Sequence, residues 1–298
     1  MPRATTLRQS RERPDGPRPY ALGYAGAEFD RLERQGSYYR DLTRDVLVRA
    51  GIGPGMRVLD VGCGVGDVSL LAARLVGPTG SVHGVDRSPE AIAVAARRVA
   101  REALLARVTF AAVELGDWDP EPGFDAVIGR LILMYLPDPG AALARLSAGL
   151  RPGGIVAFQE IATGHGRSVP EGPLFRACCR WLVDTFERAG FESDMAAKLP
   201  AVFRAAGLPP PEMIAAARVE AGPTAYAYDY LAATLRSLLP VGERVGAMDP
   251  AEVGIDTLAD RLRAEALAAD ACIILPTLVG AWTRLPPAPP APPRETAP

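Results

Sequence analysis

Residues 58–67 read Val58-Leu59-Asp60-Val61-Gly62-Cys63-Gly64-Val65-Gly66-Asp67, a β-prone run that breaks into three alternate glycines before a helical pattern. Glycines at a strand–helix junction allow a sharp turn and let a ligand lie against bare backbone. Asp86 lies twenty residues beyond Gly66, at the end of the next strand-like run. There a carboxylate can accept hydrogen bonds from both hydroxyls of a ribose. Glu114 follows the third such run, where an adenine would lie if the ribose sits at Asp86. A dinucleotide fingerprint wants a glycine at the position of Asp67, and a carboxylate there opposes a diphosphate at the helix start. Asp60 adds a second negative charge. The two acids suit a ligand that carries ammonium and sulfonium groups, which favours S-adenosylmethionine over a nicotinamide dinucleotide.

The elements that must position these residues alternate along the chain. Hydrophobic runs at 57–61, 81–85, 108–113, 124–129 and 155–161 read as strands, separated by helical patterns. Gly77-Pro78 stops the first of those helices, Ser88-Pro89 starts the next and Asp138-Pro139 starts a third. This β–α alternation predicts a parallel sheet with helices on both faces and right-handed crossovers. Before it, Phe29, Leu32, Tyr39, Leu42 and Val46 fall at helical spacing, with Gly36 as a candidate interruption. After 161 the rhythm changes: amphipathic helices at 173–189 and 195–206, a strand-like run at 213–219, helices at 225–239 and 256–268, and a last strand at 272–282. This half reads as a helical cap inserted over the strand ends, with two late strands completing the sheet. The Arg- and Pro-rich residues 1–19 and the Pro/Ala-rich residues 286–298 read as tails without a core.

Together, D-V-G-C-G-V-G-D, G-V-D-R-S-P, F-D-A-V-I-G-R-L-I-L-M-Y-L-P-D-P and L-R-P-G-G-I-V-A-F-Q-E resemble the class I S-adenosylmethionine-dependent methyltransferases over roughly residues 56–161. The resemblance implies a Rossmann-like α/β fold: a seven-stranded, mostly parallel sheet of order 3-2-1-4-5-7-6 with its last strand antiparallel. The expected single domain spans 20–285, with N-terminal lid helices at 20–50, a cofactor-binding core at 51–165, a helical cap at 166–210 and the completion of the sheet at 211–285. Carried over position by position, Asp60 would sit near the methionyl amino group. Gly62, Cys63 and Gly64 would contact the methionyl part through backbone, and Gly66 would start the helix. Asp86 would hold the ribose diol, with Arg87 beside the adenine and Glu114 and Leu115 bounding it, Asp117 competing for the polar adenine contact. Arg130 would lie beside the methionyl tail, with a surface salt bridge as its alternative. Gln35, in the segment with Arg31, Leu32, Tyr38 and Tyr39, would belong to a lid over the cofactor; ordinary helix packing explains that segment equally well.

Methyl transfer needs orientation and a dry pocket more than a dedicated base, although an alcohol, phenol or carbon acid benefits from one. His165, in the loop after the fifth strand, is a candidate base, with a hydrogen-bonded loop histidine as its alternative. Glu160 and Glu171 are further candidates that also read as structural or helix-terminal carboxylates. His83 lies within the second strand and reads as core; Tyr135 reads as pocket wall or core. The cap aromatics Phe175, Trp181, Phe186, Phe191, Tyr226, Tyr228 and Tyr230 either pack the cap or shape an apolar pocket for a hydrophobic small molecule. The expected activity is O- or C-methylation of such a molecule, with N-methylation open. The rivals are a dinucleotide oxidoreductase and a non-catalytic S-adenosylmethionine-binding protein.

The 298 residues, 48% apolar, carry 33 basic and 35 acidic side chains, a sum of −2 that gives no surplus for coating nucleic acid. Without a signal-like apolar core or a membrane-length run, the expected setting is the cytoplasm. Cys63, Cys178, Cys179 and Cys272 show no disulfide or metal-ligand spacing, so free thiols and no metal are expected. Oligomeric state stays open, a homodimer included.

Overall fold

A computed structural model describes residues 26–102, 107–116 and 118–287. The expected tail at 1–19, most of the tail at 286–298 and Asp117 lie outside the described residues. The chain opens with helices α1 (Gly26–Tyr38) and α2 (Arg40–Ala50), followed by β1 (Arg57–Val61), α3 (Asp67–Val76), β2 (Ser81–Asp86), α4 (Pro89–Arg101), β3 (Arg107–Ala112) and β4 (Phe124–Arg130). Then come α5 (Pro139–Ala148), β5 (Leu150–Ala162), β6 (Arg167–Val169), α6 (Pro173–Arg188), α7 (Met195–Ala205), β7 (Glu212–Ala216) and β8 (Val219–Ala221). The last elements are α8 (Ala227–Arg244), the single turn α9 (Pro250–Val253), α10 (Leu258–Ala268), β9 (Cys272–Ile274) and β10 (Thr277–Arg284).

Seven strands form the central sheet in the order β3-β2-β1-β4-β5-β10-β7. All pairs are parallel except those of β10, which runs antiparallel to both β5 and β7. Counted within this sheet, the last strand lies between the fifth and sixth, which is the expected 3-2-1-4-5-7-6 arrangement. The inner strands β1, β4 and β5 are covered on both faces, so their side chains alternate between two cores, while the edge strands β3 and β7 are more exposed. Val58, Ala126, Ile128, Ile155 and Ala157 join a core with Val46 and Leu47 of α2 and Leu71 of α3. Leu59, Val127, Val156 and Phe158 join the opposite core with Leu143 of α5 and Leu199 and Phe203 of α7.

Helix starts follow local chemistry. The Ser88 hydroxyl accepts from the Ala91 amide at 3.1 Å and the Asp138 carboxylate from the Ala141 amide at 2.9 Å, each followed by a first-turn proline. Gly36 does not interrupt α1: a Cβ on it would fall 2.1 Å from Cγ of Asp67, so the residue permits α1 to cross the start of α3. The chain breaks instead between Tyr38 and Arg40.

Two expected strands are split. The run 213–219 divides into β7 and β8, and 272–282 divides at Leu275-Pro276 into β9 and β10. The pieces left over build a second sheet, β6-β9-β8, absent from the expected topology. Helix α7, expected within the cap, packs on α5, β5 and β10, whereas α6 packs on α8, α10 and β6. What lies over the strand ends is therefore α6, α8, α10 and the small sheet. His83, expected in the core, is half-buried, and its Nδ1 meets Thr109 Oγ1 on β3 at 2.9 Å. No helix among the described residues is long and apolar enough to cross a membrane.

Candidate functional site

One cavity of about 830 Å³ opens at the carboxyl ends of β1, β2, β4 and β5, where open α/β sheets place ligands. Its floor is the turn after β1. Gly62 (φ +66°) and Gly64 (φ +52°) hold the backbone in the left-handed region. A Cβ on Gly62 would lie 2.7 Å from Ile132, whereas Gly64 faces open space, so its bare backbone is presented to the cavity. The Cys63 amide donates to the Val85 carbonyl at 3.0 Å, tying the turn to β2. Gly66, packed 3.1 Å from Ala95 Cβ when given a Cβ of its own, starts α3 and does not line the cavity.

Two carboxylates fix the charge there. Asp86 accepts from the Gly64 amide through one oxygen and from the Ser88 amide through the other, both at 2.9 Å. Burial raises its carboxyl, and those amides pull it back. Asp60, 1% exposed, accepts from the Ser69 hydroxyl at 2.5 Å through Oδ2, while its buried Oδ1 has no partner. Burial pushes its pKa up to about 7; Ser69 and Arg130 oppose this, and the charges of Asp86 and Asp67 add to it. Asp60 lies just behind the cavity, but Arg130, Asp86 and Asp67 all line it. An unpartnered buried carboxylate oxygen beside a glycine turn fits a ligand ammonium.

Other expected cofactor residues are brought together here. Arg87 and Glu114 pair at 3.6 Å across the ends of β2 and β3. Leu115 lines the wall beside them, and its carbonyl accepts from Arg145 of α5 at 2.8 Å; Arg145 also bonds the Gly116 carbonyl. Arg130 is not on a surface salt bridge: half-buried, it donates to Thr43 Oγ1 at 2.9 Å. Gln35 lines the cavity from α1 and donates to the Tyr230 hydroxyl at 3.1 Å, joining α1 to α8. Asp67 is not the bare charge assumed from the sequence. It is 14% exposed and pairs with Arg98 of α4 at 2.8 Å, so its effect on a diphosphate is largely neutralised.

The other half of the cavity is apolar. Met134, Tyr135 and Leu136 from the loop after β4 face Leu182 and Phe186 of α6, with Phe191 and Leu231 beside them. Tyr135 meets Phe191 edge-on at 5.2 Å between ring centroids. Phe175, Trp181, Tyr226 and Tyr228 of the expected aromatic set pack elsewhere; Tyr230 alone of the late tyrosines lines the cavity.

None of the three expected bases lines it. His165 is exposed in the loop after β5, because the chain turns outward there into β6. Glu171 is exposed and pairs with Arg176 at 3.2 Å. Glu160 is fully buried, and its Oε1 accepts from the Ile132 and Leu133 amides at 3.0 and 2.7 Å, fixing the loop that carries Met134 and Tyr135. Burial pushes its pKa up to about 8 against those amides. Arg98 and Arg145 carry no mark in the sequence beyond their places on amphipathic helices, whereas Tyr230 is among the expected pocket aromatics.

Residues 52–188 match the family described as a methyltransferase domain. Over that stretch the chain is similar to the class I S-adenosylmethionine-dependent methyltransferases. Trans-aconitate 2-methyltransferase of Streptomyces avermitilis is 37% identical over 103 residues, 35% of this chain and 38% of that protein. Aklanonic acid methyltransferase of a Streptomyces species is 40% identical over 158 residues, 53% of this chain and 65% of that protein. The chain thus spans about two fifths of the length of the trans-aconitate methyltransferases it matches. Among solved structures, phosphoethanolamine N-methyltransferase 2 of Haemonchus contortus, in complex with phosphomonomethylethanolamine and S-adenosylhomocysteine, superposes with a TM-score of 0.50 at 23% identity. That match covers 83% of this chain and 53% of the other, and it shows a shared fold.

Proposed function

We propose that this protein transfers the methyl group of S-adenosylmethionine to an oxygen or carbon of a hydrophobic small molecule. The observation that carries the reading is the single cavity in which a glycine turn flanked by Asp60 and Asp86 adjoins an aromatic, apolar chamber. Its volume falls in the range of cofactor and small-molecule sites.

In this reading Asp86, already anchored by the Gly64 amide, orients the ribose hydroxyls, and Leu115 with the Arg87–Glu114 pair bounds the purine. Asp60 attracts the ammonium from just behind the cavity, directly or through water, and Arg130 lies on the carboxylate side of the same tail. When bound, the cofactor would supply an electrophilic methyl group on a sulfonium whose positive charge is lost as the departing sulfur becomes a thioether. The chain's contribution is to orient the acceptor and exclude water: Met134, Tyr135, Phe186 and Phe191 form a chamber that favours apolar surface. The relatives' names support a small-molecule acceptor, two of them naming acids as substrates.

The test is incubation of the whole protein with isotopically labelled S-adenosylmethionine and a panel of lipophilic phenols, enolisable ketones and carboxylic acids. Label in an extractable product, with S-adenosylhomocysteine released, is the expected result. Calorimetry that detects no S-adenosylhomocysteine binding but detects a nicotinamide dinucleotide would overturn it.

A further inference from the structure

Arg98 lies on α4, outside the cavity, yet reaches three parts of the cofactor side at once. Its Nη1 donates to the Val65 carbonyl of the glycine turn at 2.6 Å, and its Nη2 to Asp67 at the start of α3 at 2.8 Å. Its Nε lies 3.7 Å from a Glu33 carboxylate oxygen on α1. The guanidinium is mostly buried, at 17% exposure, as is Asp67 at 14%. Ala91 and Ala95, on the same face of α4, are fully buried, and a Cβ on Gly66 would touch Ala95. The helix that carries Arg98 is thus seated directly against the turn that Arg98 grips. On its other side, α1 presses Gly36 against the Asp67 carboxylate, which holds that carboxylate toward Arg98. A planar guanidinium presents a rigid, spread fork to a carbonyl and a carboxylate together, whereas an ammonium offers its donors from a single point on a flexible stem and fixes the two acceptors less well.

We propose that Arg98 is a positioning residue that locks the glycine turn beneath α1 and, by neutralising Asp67, sets how strongly the site prefers a positively charged cofactor to its uncharged thioether product. The inference rests on the proposed function. Asp67 lines the cavity, and its charge is felt at Asp60. Uncovered, it would attract a sulfonium and leave a thioether indifferent. With the pair intact, the product is not put at a disadvantage through Asp67, and the turn stays in one conformation.

Calorimetry of S-adenosylmethionine and S-adenosylhomocysteine on the full chain separates the two effects. Arg98→Gln is expected to weaken S-adenosylhomocysteine about tenfold, through loss of charge-assisted hydrogen bonds. The same change should move the affinity ratio about fivefold toward S-adenosylmethionine, the size of one uncovered charge at a partly screened distance. Arg98→Lys keeps the charge and loses the fork, so both affinities fall while the ratio holds. Adding Asp67→Asn to Arg98→Gln should restore the ratio but not the affinities. In the unliganded protein, amide exchange of residues 62–67 and of α1 should quicken in Arg98→Gln. A purely structural role would weaken both ligands equally in Arg98→Gln. That result, or wild-type affinities and exchange in that variant, overturns the proposal. If the wild type binds neither ligand, the functional reading fails instead, and the exchange comparison still decides whether Arg98 locks the turn.

Discussion

The two halves of the cavity are built by different means. The cofactor side uses backbone and buried charge: a glycine turn, two aspartates at strand ends and the amides that hold them, all within residues 60–88. The proposed acceptor side uses side-chain surface from Tyr135, Leu182, Phe191 and Leu231, brought together from four separate stretches of chain. A site made of backbone and fixed carboxylates admits few substitutions, because each group has a directional partner. A chamber of apolar side chains keeps its character through many exchanges, since burial depends on area rather than direction. The first half should therefore respond steeply to single atoms and the second to volume.

The largest expected effect lies on the cofactor side. Asp86→Ala removes the acceptor for the Gly64 and Ser88 amides together with the proposed ribose contact. Loss of about 100-fold in S-adenosylhomocysteine affinity is expected, at the charged-hydrogen-bond scale for two lost partners. A calorimetric loss below about threefold would show that the turn, not the carboxylate, holds the nucleoside.

Across the cavity, Phe186→Ala should lower kcat/KM for a lipophilic acceptor about tenfold, from lost apolar contact, while S-adenosylhomocysteine affinity stays put. The comparison sharpens if a bulky acceptor regains rate in the enlarged chamber. Equal losses in cofactor and acceptor binding would mean that the halves are not separable.

That difference in construction also explains what could be read from the chain in advance. Asp60 and the turn are contiguous in sequence, Asp86 closes the very next strand, and all are dictated by backbone conformation, so their residue types announce them. The same holds for the parallel strands themselves, since each one buried on both faces leaves an uninterrupted apolar run, while their order is what the resemblance to the methyltransferases implies. Long-range pairing leaves no such mark. Leu275-Pro276 splits what looks like one strand, and only the assembled fold shows that β9 joins β6 and β8. His165 drew notice as a histidine after the fifth strand, yet the outward turn into β6 exposes it. Arg98 escaped notice because a helical arginine has the same local pattern whether it meets solvent or clasps a carbonyl 33 residues away.

Asp60 gives a smaller effect with a defined sign. Its pKa, pushed up to about 7 by burial, leaves it neutral in acid and charged in mild base. Only the charged form attracts an ammonium, so S-adenosylhomocysteine affinity should rise about fivefold between roughly pH 6 and 8. Asp60→Asn should flatten that rise; a profile that keeps its slope in the variant would assign the titration elsewhere.

The smallest effect concerns Glu160, where the two halves meet through the loop from Leu131 to Leu136. Burial lifts its carboxyl from 4.5 to about 8, so the folded protein holds the proton more tightly than the unfolded chain does. A raised carboxyl pKa contributes stability that is complete below 4.5 and lost as pH rises toward about 8. Glutamine is neutral at every pH and retains an oxygen for the Ile132 and Leu133 amides. Glu160→Gln should therefore melt within a few degrees of wild type near pH 5 and above it near pH 8.5, with turnover retained. Parallel melting curves would show that Glu160 is already charged in the fold. Collapse of turnover in a variant of unchanged stability would return it to the role of base, and the apolar half of the cavity would then contain a chemical group after all.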